Sequence, residues 1–151
     1  MNKKKSVEAI LKVREHHVDQ MVNIKKLVNG RDVDVLIPVA KTECKFGKWI
    51  YEPKNRVKDI LGLMFYDKIV ALHGKWHEEY IKIYTVFQKK EKKSFLSKIT
   101  GSNKIKMMDI DKAKAYYADL EITSENLLIE LDKSHRRFLA LSNASFEFPS
   151  T

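Results

Sequence analysis

The sequence predicts an all-α fold, an antiparallel helical bundle of the four-helix type. Two observations carry that expectation. Three segments hold apolar residues at spacings of three and four, and convincing strands are absent. The 151 residues suit a single domain, expected to span 1–151.

The first helix is expected over 6–29. Ile10, Val13, Met21, Ile24 and Val28 form its stripe, and Gly30 follows Asn29 as a stop signal. Residues 30–39, with a Gly, two Asp and a Pro, read as a connection with a short extended piece. Residues 40–52 read as a short helix or turn-rich segment closed by Pro53. One long helix is expected over 54–88, from Val57 to Phe87, although Gly62 and Gly74 lie inside it and each glycine costs about 1 kcal/mol relative to alanine. Two such glycines point to close packing, a bend or a ligand. Residues 89–108 are rich in lysine, with a turn at Gly101-Ser102-Asn103. A last helix over 109–142 carries Ala113, Tyr117, Leu120, Leu127, Leu131 and Phe138, and the tail after it is expected to fray.

Composition narrows the function classes. With 44% hydrophobic and 32% charged residues the chain is that of an ordinary globular protein. No apolar run approaches the roughly 20 residues of a membrane span. The positive start, Met1 to Lys5, has no apolar stretch behind it, and there is one cysteine, so a cytoplasmic location is expected. The net charge of +9 would suit nucleic acid or another anionic partner. The lysines are dispersed, however, with no arginine stripe interleaved with aromatics. A solvated, solubilising surface is therefore the favoured reading, and nucleic acid an unlikely partner.

The chemistry concentrates on histidine and cysteine. His73 and His77 stand at i and i+4 and so project from one helix face, with Cβ atoms about 5–6 Å apart. Leu72 and Trp76 beside them mark that face as core-directed, where two imidazoles need partners that a metal would supply. Cys44 is followed by Gly47 and Trp49. Alone, its thiol would pass for a small buried hydrophobe. A glycine there permits close backbone approach, and the tryptophan can anchor the segment. His17 lies on the first helix's apolar stripe, four residues from both Val13 and Met21, whereas His16 points about 100° away. His17, Cys44, His73 and His77 together give a tetrahedral shell suited to Zn2+, which would also staple three segments. His135 reads as an ordinary helix residue.

The run Cys44-Lys45-Phe46-Gly47-Lys48-Trp49-Ile50, followed by His73-Gly74-Lys75-Trp76-His77, resembles the chemoreceptor zinc-binding domain (CZB) family. The resemblance covers about residues 10–90. The family's first motif often reads acidic-His-x-x-Trp; here Glu15-His16 matches the acidic-His pair, His17 matches the apolar register, and Asp19 or Gln20 stands where the tryptophan would be. The core-facing His17 is the preferred ligand. The resemblance implies a zinc-binding regulatory domain attached to, or working with, chemoreceptor or diguanylate cyclase signalling, tending to homodimers, and responsive to zinc or to oxidants such as hypochlorous acid through Cys44.

An enzyme is not expected. Four protein ligands leave no open position for water, and Gly74 stands where an HExxH helix has its glutamate. The alternative is a basic helical module that binds nucleic acid or protein and whose zinc is purely structural.

Overall fold

The computed structural model describes residues 2–31, 33, 37–100 and 107–147, with only the helical backbone for 89–100. Helix α1 spans Lys3–Val28, α2 Lys45–Tyr51, α3 Val57–Leu61, α4 Leu63–Thr100 and α5 Met107–Ala140. Single 3-10 turns cover Pro53–Asn55 and Asn143–Phe146. Among the described residues there is no strand, and the all-α bundle is as expected.

Helix α1 starts three residues earlier than its stripe suggests, because the Asn2 side chain accepts the Lys5 N–H and caps the first turn. It lies antiparallel to α5. Lys3 Nζ reaches the Leu139 and Leu141 carbonyls at α5's far end, Arg14 pairs with Asp132 at 2.6 Å, and His17 meets Ser124. Helix α4 also runs antiparallel to α5, from Arg137 Nε donating to the Leu61 carbonyl to Lys82 over the Tyr116 ring.

The expected single helix over 54–88 is corrected. Pro53 does not simply end a segment but opens a 3-10 turn, and the chain breaks again at Gly62, whose φ of 81° lies where a side chain is strained. Arg56 also takes a left-handed φ of 51° between the turn and α3. Beyond the break, α4 continues past residue 88 to Thr100, so the lysine-rich stretch is helical through that point. The turn expected at Gly101–Asn103 lies outside the described residues, as do residues 32 and 34–36 of the connection expected over 30–39. The frayed tail expected after α5 is corrected for residues 143–147, while 148–151 lie outside the described residues. Phe146 is buried and meets Phe138 ring to ring at 5.7 Å, while Arg56 Nη1 donates to the Glu147 carbonyl. An aromatic seated on the core holds residues 143–147 where a polar segment would be released.

The buried apolar residues form two clusters. One joins Ile10 and Val13 of α1 to Phe46, Trp49, Ile60, Leu61, Leu131 and Phe138. The other joins Met21, Ile24 and Val28 to Trp76, Tyr80, Ile83 and Leu120. His17 falls between Val13 and Met21, and His73 between Ile69 and Trp76, so the candidate site sits at the junction of the two clusters.

Candidate metal centre

Cys44 reaches the core because it caps α2. Its backbone is extended, and its sulfur accepts the Gly47 N–H at 3.1 Å. Gly47 is required by a close crossing. A Cβ there would sit 1.7 Å from the Lys41 carbonyl oxygen, so any other residue forces the backbones apart. Phe46 and Trp49 anchor the short helix, with their rings edge to face at 5.9 Å.

The segment before Cys44 forms a strap along α4. The Tyr80 hydroxyl donates to the Ile37 carbonyl at 3.1 Å, His77 Nδ1 bonds the Val39 carbonyl at 2.9 Å, and Cys44 Sγ lies 3.3 Å from His73 Nε2. Successive turns of α4 thus bind successive strap residues. Gly74 faces the strap too, where a Cβ would come 3.9 Å from Lys41 Nζ.

Cys44, His73 and His77 are brought together, one ligand atom of each lying within 4.8 Å of the others. All three are buried, His73 at 1% exposure. Their chemistry fits a metal. The Val39 carbonyl can only accept, so neutral His77 carries its proton on Nδ1 and presents a bare lone pair on Nε2. That Nε2 is buried and has no hydrogen-bond partner, the condition a metal would relieve. His73 turns Nε2 toward the cysteine sulfur and Nδ1 toward the Tyr51 hydroxyl at 3.4 Å, while its ring stacks on Phe46 at 4.3 Å. Ligating histidines commonly bind an oxygen through the other ring nitrogen, and both do so here.

Electrostatics favours neutral imidazoles. Burial, then the neighbouring His77, His17 and Lys41, push His73 down to about 3. Burial also lowers His77, against the Val39 bond that raises it and with Lys41 adding to the lowering. Burial pushes the Cys44 thiol up, opposed by the Gly47 N–H and other nearby backbone amides and by the Lys48 charge.

His17 is buried, as its register predicts, and stands outside the three-residue group. Its Nε2 lies 2.9 Å from Ser124 Oγ, and its ring meets Trp76 edge to face at 5.1 Å. Burial, then the His77 and His16 charges, lower it to about 4. His16 is half-exposed and pairs with Gln20 at 3.1 Å. His135 is half-buried on α5, apart from the cluster.

Sequence reasoning missed the supporting residues. The Val39 and Ile37 carbonyls leave no trace in side-chain identity. Tyr51 and Ser124 carry a weak signal, Ser124 being a polar residue four places after Leu120 and three before Leu127 on the α5 stripe.

A helical bundle that gathers one thiol and two imidazoles at its buried junction defines a candidate metal-binding domain. The family model described as the chemoreceptor zinc-binding domain, CZB, matches residues 17–84, bearing out the resemblance seen in the cysteine and histidine motifs. The matched stretch runs from His17 through the strap, Cys44 and both α4 histidines, and ends before α5. No curated protein and no solved structure matches the chain. No helix among the described residues is long and apolar enough to cross a membrane.

Proposed function

We propose that this chain is a zinc-binding regulatory module, with Cys44, His73 and His77 as three ligands and His17 as the fourth. The observation that carries the reading is the buried, unpartnered Nε2 of His77 beside the Cys44–His73 pair. A histidine-rich set with one thiolate suits zinc, and four protein ligands suit a regulatory rather than a catalytic site.

Zinc bound there would hold the Cys44 sulfur as a thiolate, the form that oxidants attack. Hypochlorous acid transfers its oxygen to such a sulfur, giving a sulfenic acid and chloride. A sulfur so altered binds its neighbours differently, and Cys44 is the end of a strap that Val39 and Ile37 tie to His77 and Tyr80. Loss of the Cys44 contact frees α2 from α4, a local change that a partner can register as altered packing. Zinc depletion would release the same strap. The module fits chemotaxis or cyclic-di-GMP signalling in the cytoplasm, as a homodimer working with a chemoreceptor or diguanylate cyclase output.

Elemental analysis of the purified full chain and of Cys44→Ala tests the reading. About one zinc per wild-type chain, with affinity reduced at least tenfold in the variant, is expected from loss of one ligand. A wild-type chain that takes up no zinc under reducing conditions would falsify it.

A further inference from the structure

His17 has its Nε2 on Ser124 Oγ at 2.9 Å and stands outside the group formed by Cys44, His73 and His77. Both partners are buried, His17 at 2% exposure and Ser124 at 3%. Whether Nε2 accepts the serine hydroxyl or donates its own proton to it, that nitrogen cannot bind a metal at the same time. Ser124 belongs to α5, beyond the family-matched residues, and α5 packs along both α1 and α4.

We propose that Ser124 is a latch on the metal centre: His17 Nε2 must leave Ser124 to join Cys44, His73 and His77, so that metal uptake is registered at the α1–α5 interface. This rests on the reading of His17 as the fourth ligand. The competition is uneven by construction. A helical serine released by its partner can turn its hydroxyl back to a carbonyl of its own preceding turn. A released buried imidazole nitrogen has no such local substitute. The latch therefore stabilises chiefly the metal-free state and weakens zinc binding by the worth of one buried hydrogen bond.

The consequences are measurable on the full chain by zinc competition with a chromophoric chelator. Ser124→Ala is expected to bind zinc about tenfold more tightly, the equivalent of a net hydrogen bond. Ser124→Thr, which keeps a hydroxyl, is expected to stay near wild type. The gain from Ser124→Ala is expected to vanish in a His17→Ala background. Unchanged or weaker binding by Ser124→Ala overturns the latch, as does a gain that survives without His17.

Ring 15N shifts of the wild-type protein give the same answer without a variant. On zinc addition His17 Nε2 is expected to become the metal-bound nitrogen. Ligation through Nδ1 with Nε2 still protonated overturns the proposal. If His17→Ala binds zinc as tightly as wild type, the fourth-ligand reading and the latch both fail while the three-residue site stands. If the wild type binds none, the site reading itself fails.

Discussion

Two buried regions of this molecule obey opposite rules. Around Leu131, Phe138 and Phe146 the interior is built mainly of apolar side chains, with Ser134 Oγ buried among them, and the turn Asn143–Phe146 is folded onto it. Some turns away, where His73 and His77 meet Cys44 and His17 lies nearby on Ser124, the interior is polar and the His77 Nε2 lacks a partner. The first region contributes stability chiefly through area removed from water. The second gathers several nitrogen and sulfur lone pairs at one point out of water, a cost that a bound metal would offset.

The sharpest contrast should come from truncation in the apolar region. Phe138→Ala is expected to lose about 3–5 kcal/mol, with or without zinc, by chemical denaturation. A loss that depended on zinc would erase the distinction between the regions.

The polar junction should behave the other way. Zinc at 100-fold above its Kd is expected to stabilise the wild type by about 2.7 kcal/mol, and His77→Ala by far less, read as the zinc-induced shift in thermal midpoint. Equal shifts in both proteins would remove His77 from the site.

Acid should find the junction before the apolar region. In the metal-free protein His17 is held at about 4 and His73 at about 3, both below the ordinary 6.5. Between pH 6.5 and those values the unfolded chain binds protons that the folded chain refuses, so stability rises with pH. It is fully present above about pH 6.5 and falls by up to about 1.4 kcal/mol per unit per histidine as pH drops toward 4. Urea midpoints measured from pH 7.5 to 4.5 check this; a flat profile would mean that neither histidine is buried neutral.

The smallest expected effect is at the strap. Tyr80→Phe removes the hydroxyl that donates to the Ile37 carbonyl and should lose about 1 kcal/mol. Hydrogen exchange should rise locally at residues 37–44 while α5 keeps its protection.

The helices were legible where a stripe was long. α1, the body of α4 and α5 follow directly from apolar residues at three and four. Their breaks were harder to place. Gly62 could have been an ordinary mid-helix glycine, and only the packing of α3 and α4 decides that the chain turns there with positive φ. Phe146 looked like part of a loose tail because sequence cannot say whether an aromatic will find a cavity.

For the site, the i,i+4 histidines and the cysteine motif determined which residue types were gathered, since one helix face and one tight glycine crossing are local properties of the chain. Their meeting, with Cys44 against His73 and the Val39 carbonyl on His77, was decided by tertiary structure, because it depends on how residues 37–44 lie on α4. So was the position of His17, whose burial follows from its register but whose partner, Ser124, lies 107 residues away on another helix.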